Sequence, residues 1–206
     1  FDESSGAPIK ILARNHQYLG VNLAIESVRD RKARQGRLGV FWHTQGSGKS
    51  YSMVMFTRKV HRKLGGNFTF VVLTDRDDLD TQIYKTFAGC GVVDHDRDPC
   101  RAASGKNLAQ LLGEHKSHVF SLIQKFNQDV DPDDAYTQRD DIIVINHGPK
   151  GNGLEEFISP SSLYLFKSLK PAVANKSIRQ IVASLTEDEP EKREVAGRAV
   201  YFWFIE

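Results

Sequence analysis

Cysteine is scarce in this sequence, and long apolar segments are missing. The 206 residues include two cysteines, Cys90 and Cys100, whose spacing matches no zinc-binding pattern. A disulfide framework is therefore not expected, and a reducing cytoplasm is the predicted location. No apolar run reaches the roughly 18 residues that suggest a membrane-spanning helix. The first ten residues also lack the basic start and apolar centre of a signal peptide.

The net charge is small, at +2, but it is unevenly distributed. Residues 1–65 hold 12 Lys/Arg and four Asp/Glu, a balance of +8, whereas residues 66–145 hold eight and 14, a balance of −6. Residues 146–206 hold eight of each. A basic first third could attract a polyanion, either a nucleotide or a nucleic acid. A solvated basic helix surface explains the same pattern equally well, so charge alone leaves both interpretations open.

Helix-like and strand-like patterns alternate as far as residue 145. Met53, Phe56, Val60 and Leu64 recur at the spacing of one helix face, and short apolar runs suit buried strands. This alternation predicts an α/β fold, a parallel sheet with flanking helices, followed by a mostly helical tail of unknown role. The expected helices are about residues 17–33, 50–64, 75–87 and 107–115, and the expected strands are 40–43, 68–74, 118–123 and 140–145.

The stretch HTQGSGKS follows an expected strand and opens an expected helix. Its Gly48, Lys49 and Ser50 match the end of the phosphate-loop pattern G-x-x-x-x-G-K-[ST], but His43 replaces the first glycine. Gly46 and Gly48 allow backbone N–H groups to turn toward a phosphate, and the positive end of the helix points to the same place. Lys49 is suited to the outer phosphates and Ser50 to Mg²⁺. The alternative, a Gly/Ser turn with an exposed lysine, is disfavoured by the strand–loop–helix context.

A phosphate loop without the first glycine is the signal of helicase-like motors of superfamily two. WHTQGSGKS resembles the loop of the motor (restriction) subunits of type I restriction–modification enzymes. Three other stretches match that family in order and spacing: RNHQYLGVNLAIESV, VVLTDRDDLDTQIYKTF and VFSLIQKF. The resemblance covers roughly residues 8–145 and implies a RecA-like lobe that uses ATP and Mg²⁺. It also implies double-stranded DNA and the modification and specificity subunits as partners, and no membrane.

The resemblance assigns roles to particular residues. Arg14 and Gln17 match positions that read the adenine, and Lys49 is also the catalytic residue. Ser50 is the implied Mg²⁺ ligand. The implied nucleotide-binding set is Arg14, Gln17, Thr44, Gly46, Ser47, Gly48, Lys49 and Ser50.

Two further residues are weaker candidates for contact with DNA phosphates. Arg76 and Lys125 each follow an expected strand. A solvated lysine explains Lys125 about as well. Asp75, Asp77 and Asp78 around Arg76 suit the cap and first turn of a helix.

The resemblance ends after the strand at 140–145. The family carries Asp-Glu-Ala-His there, with two carboxylates that hold Mg²⁺ through water and orient the attacking water. This chain has Asn146 and His147 instead. Because the earlier motifs are intact, we expect that Ile145 and Asn146 are not covalent neighbours in the natural protein. The predicted lobe is therefore residues 1–145, and the tail, 146–206, is expected to be discontinuous in sequence. The family's second motor lobe and its nuclease domain, expected before residue 1, are not in this sequence.

Two functions remain. The first is the ATP-binding lobe of an ATP-dependent double-stranded DNA translocase in a type I restriction endonuclease. The second is a nucleotide-binding module that does not hydrolyse ATP because the Asp-Glu carboxylates are missing. A nucleotide kinase or another phosphate-loop enzyme is disfavoured by the absent first glycine and by the arm that carries Arg14 and Gln17.

Overall fold

A computed structural model of the chain describes residues 1–34, 36–42, 46–94, 99–126, 139, 141–148 and 200–205. In chain order, the elements in these residues are α1 (Asn15–Arg29), β1 (Arg37–Trp42), α2 (Lys49–Leu64), β2 (Thr69–Thr74), α3 (Asp77–Gly89), α4 (Gly105–Gly113), β3 (His118–Leu122), a short 3₁₀ helix (Ile123–Phe126), β4 (Ile142–Gly148) and β5 (Val200–Ile205). No helix among them is both long and apolar enough to cross a membrane.

The five described strands form one sheet in the order β1-β5-β4-β2-β3, and every neighbouring pair is parallel. All six residues of β2 are buried, as expected for a strand covered on both faces. The predicted α/β fold with a parallel sheet and flanking helices is confirmed. Because the strands are parallel, their carboxyl ends share one edge, which is where such sheets bind ligands.

The largest differences from the expected boundaries, of three or four residues, occur in three places. The first helix ends at Arg29 rather than near residue 33, because the chain turns at Asp30, whose N–H caps the helix by bonding the carbonyl of Glu26. The first strand begins at Arg37, three residues early. The last strand of the predicted lobe continues beyond Ile145 to Gly148.

The expected break between Ile145 and Asn146 concerns the natural protein and stays a prediction. Strand β4 runs through both residues, and Ile145 pairs with Val72 while Asn146 pairs with Leu73. Asn146 is 6% exposed, so this end of β4 is buried in the fold.

The aromatic end of the chain is a strand of the sheet rather than part of a helical tail. Val200–Ile205 pairs on one side with β1 and on the other with β4. The run VYFWFI has no polar alternation, as is typical of a parallel strand covered on both faces. Residues 149–199, where the helical tail was predicted, lie outside the described residues.

Helices α1 and α2 pack against each other and close the core. The predicted apolar face of α2 is confirmed, because Met53, Phe56 and Val60 are fully buried. A side chain at Gly20 would overlap the ring of Phe41, so α1 lies directly against β1 and tolerates no side chain at this point. This packing positions the start of α1 beside the start of α2.

A buried histidine lies in an aromatic cluster at the start of β3. His118 stacks on Phe70 at 5.4 Å between ring centroids, and the rings of Phe87 and His61 contact it edge-on at 5.6 and 5.7 Å. Neither ring nitrogen of His118 has a hydrogen-bond partner. Burial, with a smaller effect of His61, lowers the pKa of His118 to about 3. The ring is therefore neutral in the folded protein at any pH near neutrality.

This histidine predicts a loss of stability in mild acid. Below the ordinary histidine pKa of about 6.5, His118 binds a proton in the unfolded chain but stays neutral in the folded chain. The contribution of His118 to the free energy of unfolding is therefore fully present above that pH and falls as the pH decreases toward about 3. The expected slope is about 1.4 kcal/mol per pH unit within that window. His118→Phe should reduce the fall in urea midpoint between about pH 7.5 and pH 5. The exposed His115→Phe should not, and equal pH dependence in both variants would contradict this account.

Candidate nucleotide-binding site

The candidate phosphate loop lies at the carboxyl end of β1, and α2 begins at Lys49, one residue before the expected start. Gly46 has φ 76° and Gly48 has φ 87°, both in the left-handed region that favours glycine. A Cβ at Gly46 would meet nothing within 4 Å, but one at Gly48 would lie 2.9 Å from Nε2 of Gln17. Gly48 is therefore required by backbone conformation and by space, whereas Gly46 is required by conformation alone.

The polar groups of the loop suit an anion. Lys49 is the first residue of α2 and is only 6% exposed, and Ser50 beside it is half-buried. The hydroxyl of Ser47 is buried and has no hydrogen-bond partner. The 16-residue helix adds unpaired N–H groups and a positive dipole end at the same point. Thr44, predicted to bind nucleotide, lies outside the described residues.

Gln17 contacts the loop directly. Its side chain is 4% exposed, and its Nε2 donates to the carbonyl oxygen of Gly48 at 3.0 Å and to Oγ of Ser52 at 3.3 Å. Its Oε1 accepts from the backbone N–H of Arg14 at 2.9 Å. Both N–H groups of the amide are thus used inside the protein, and one lone pair of Oε1 is left.

Arg14 and Gln17 are in contact, but the contact uses the backbone N–H of Arg14 and not its side chain. Arg14 is the N-cap residue of α1 and its side chain is exposed. The carboxamide of Gln17 satisfies the Arg14 N–H, which is half of a capping box. This bond fixes the orientation of the Gln17 carboxamide, whose Nε2 donates to Gly48.

The sequence reasoning did not single out Ser52. This residue is fully buried one helical turn after Gly48, and its hydroxyl lies 3.4 Å from the Gly48 carbonyl oxygen and 3.3 Å from Nε2 of Gln17. A small polar residue on the apolar face of α2 was the available signal. Its pairing with Gln17, 35 residues earlier, could not be read from local pattern.

The two residues predicted to contact DNA, Arg76 and Lys125, differ in how the side chain is bonded within the protein. Arg76 is 61% exposed at the N-cap of α3, with Asp78 3.8 Å away. Lys125 instead donates to the backbone carbonyl of Ala102. The interpretation of Asp75 as the helix cap is wrong, because Arg76 occupies that position; Asp77 and Asp78 do lie in the first turn.

The end of β4 carries no carboxylates. Asn146 and His147 are 6% and 3% exposed and pair with Leu73 and Thr74 of β2. Among the residues that the structure describes, no group of three or more His, Cys, Asp or Glu side chains could hold a metal ion. The described residues therefore include the candidate loop Gly46–Ser50 but not the acidic pair expected beside it.

Comparison with known proteins agrees with this geometry. The family model for the SWI2/SNF2 ATPase matches residues 16–148, from the start of α1 to the end of β4. The chain belongs to the SWI2/SNF2 ATPase family. In this family member, the matched segment includes Gln17, the phosphate loop and the strand that lacks the acidic pair.

Two relatives confirm the resemblance to type I restriction enzymes. The chain is 39% identical over 152 residues to the type I restriction enzyme HindI endonuclease subunit of Haemophilus influenzae, a match that covers 70% of the chain and 14% of that protein. It is 29% identical over 174 residues to a subunit of Methanocaldococcus jannaschii, provisionally named the type I restriction enzyme MjaIXP endonuclease subunit, with 76% and 16% covered. The chain therefore spans less than a fifth of the length of either relative.

The two loop glycines should respond differently to substitution. Gly46→Ala introduces strain only from its positive φ, on the order of 1 kcal/mol, whereas Gly48→Ala adds a clash with the buried carboxamide of Gln17. Gly48→Ala should therefore lower the free energy of unfolding by clearly more than Gly46→Ala in urea titrations. Equal losses would mean that Gln17 does not lie against Gly48.

Proposed function

We propose that this chain is the ATP-binding lobe of an ATP-dependent double-stranded DNA translocase within a type I restriction endonuclease. The family match and the two relatives support the assignment. The observation that carries it is the phosphate loop itself, two left-handed glycines before a long helix, with Gln17 bonded to the loop carbonyl.

The residues of the loop fit the phosphates of ATP. The Gly46–Gly48 backbone and the first N–H groups of α2 would surround the phosphates, and Ser47 brings a hydroxyl that lacks a partner. Lys49 would stabilise the charge that develops on the outer phosphate, and Ser50 would offer its hydroxyl to Mg²⁺. The cation would screen the phosphate charges when bound. Lys49 is only 6% exposed, and a charge pair formed away from bulk water is stronger than one in water.

Gln17 would distinguish adenine from guanine through its one unused acceptor. The 6-amino group of adenine is a donor, whereas the 6-oxo group of guanine is an acceptor and would repel Oε1. The N–H groups of Gln17 are held by Gly48 and Ser52, so the amide cannot turn to present a donor without breaking both bonds. Arg14, exposed at the start of α1, would contribute from the edge of the same site.

Removal of the lysine should abolish most nucleotide affinity. Lys49→Ala is expected to weaken binding of ADP with Mg²⁺ at least about tenfold, because a lysine–phosphate contact is charged on both sides. Lys63→Ala, at the exposed far end of the same helix, is the matched control and should leave affinity unchanged. Calorimetric titration gives both values, and wild-type affinity in Lys49→Ala would refute the site.

The same titration tests the base. ATP should bind more tightly than GTP to the unmodified chain. Equal affinities for ATP and GTP would contradict the proposed role of Gln17 but would not contradict the proposed phosphate site.

A nucleotide-binding module without hydrolysis is the second candidate. The observation in its favour is that β4 continues without interruption into Asn146 and His147, where two carboxylates are required to orient water. Neither an amide nor a buried histidine supplies the pair of negative charges that this chemistry uses. The chain alone would then bind ATP and release it unchanged.

Duplex DNA separates the two candidates and tests the proposed partner. A translocase lobe should bind DNA through phosphates, with exposed Arg76 as one contact, so affinity should fall with added salt and Arg76→Ala should reduce the salt slope by about one unit. The modification and specificity subunits would join it in the intact enzyme. Phosphate release that rises with DNA favours the translocase, whereas salt-dependent DNA binding without phosphate release favours the module. Absence of DNA binding would contradict the first candidate.

A further inference from the structure

We infer that the N-terminal hairpin, residues 2–9, couples the end of α3 to the phosphate loop, with Asp2 and Tyr51 as positioning residues for nucleotide binding. The inference rests on the proposed nucleotide site. It assigns a role to a segment that lies before the family match, which begins at residue 16.

The hairpin is closed and anchored by Asp2. The N–H and carbonyl groups of Asp2 and Ile9 exchange two hydrogen bonds of 2.8 Å. The Asp2 side chain is 6% exposed, and its carboxylate accepts from the backbone N–H of Ser4 at 2.9 Å and from the hydroxyl of Tyr51 at 2.5 Å. The tip at Ser5 and Gly6 is exposed, so the anchored end is the one that faces the protein.

Tyr51 connects this anchor to the phosphate loop. It directly follows Ser50 in the first turn of α2, and its ring lies 3.9 Å from the position that a Cβ on Gly48 would take. The bond to Asp2 raises the pKa of Tyr51 to about 12, and the bond from Tyr51 lowers the pKa of Asp2. The pair therefore stays a hydroxyl and a carboxylate throughout the neutral range, which makes the bond charge-assisted.

The same end of the hairpin also contacts the end of α3. The N–H of Glu3 donates to the carbonyl of Gly89 at 2.8 Å. A Cβ at Gly89 would overlap the Asp2 carboxylate and approach Cβ of Ser4 to 2.8 Å. Only glycine at position 89 lets the hairpin sit deep enough for Asp2 to reach Tyr51.

These contacts form a chain from Gly89 through Asp2 to the first turn of α2. Tyr51 shares that turn with Lys49 and Ser50, so loss of the Asp2 bond releases a restraint on the residues that face the phosphates. Coupling of this kind is reciprocal: if the hairpin strengthens nucleotide binding by some factor, nucleotide must stabilise the hairpin by the same factor.

The test compares two glycines that end helices. Gly89 is the last residue of α3 and Gly113 the last residue of α4, and a Cβ at Gly113 would meet nothing within 4 Å. Alanine favours helix at both positions, so the two variants share that gain. Gly89→Ala should weaken binding of ADP with Mg²⁺ at least about fivefold, the lower end of ordinary coupling. Gly113→Ala should leave it unchanged.

Two further variants and one reciprocal measurement complete the test. Asp2→Asn and Tyr51→Phe should weaken binding to similar extents, and the double variant should be no weaker than either, because both remove one bond. In the unmodified chain, ADP with Mg²⁺ should slow hydrogen exchange at the amides of Asp2, Glu3 and Ile9. If Gly89→Ala and Asp2→Asn leave the affinity for ADP unchanged, and nucleotide does not slow hydrogen exchange in the hairpin, the coupling is refuted. The proposed nucleotide site is not affected by that outcome. No nucleotide binding by the unmodified chain would overturn the proposed function with it.

Discussion

The buried carboxamide of Gln17 is the contact on which the site depends. It joins the start of α1 to the start of α2 by donating to the Gly48 carbonyl and to Ser52, while it accepts from the Arg14 N–H. Each such bond contributes about 1 kcal/mol net, but a buried amide left without partners costs more than that. Gly48 has no side chain because that carboxamide fills the space. The shape of the phosphate loop therefore depends on a helix that precedes it by some 20 residues as well as on its own glycines.

Much of this arrangement could be predicted from the sequence because it is local. The period of Met53, Phe56 and Val60 predicted a helix face, and Gly46 two residues before Gly48-Lys49-Ser50 predicted the loop. The contact between Gln17 and the loop was beyond local pattern, since the two bonded residues are 31 positions apart in the chain. Lys125 shows the same limit: its position after a strand suggested a DNA contact, but a backbone carbonyl 23 residues away in sequence holds its amine.

The sheet itself shows why long-range pairing was harder to predict. Strand β5 lies between β1 and β4, although some 50 residues separate it from β4 in the chain. An apolar run such as VYFWFI indicates a buried strand but does not identify its neighbours. The same reasoning applies to the end of β4, where the expected acidic pair is replaced by Asn146 and His147 inside an unbroken strand. The proposed module that binds ATP without hydrolysing it rests on that difference.

The central claim is that the Gly46–Ser50 loop holds nucleotide phosphates, and backbone amide chemical shifts test it most directly. An isotope-labelled sample of the full chain would be titrated with ADP and Mg²⁺ and followed by NMR. The account predicts the largest shifts at the amides of Gly46, Ser47, Gly48, Lys49 and Ser50, with the Gln17 side-chain amide shifting alongside them. Shifts confined to another part of the chain, or none at saturating nucleotide, would contradict it.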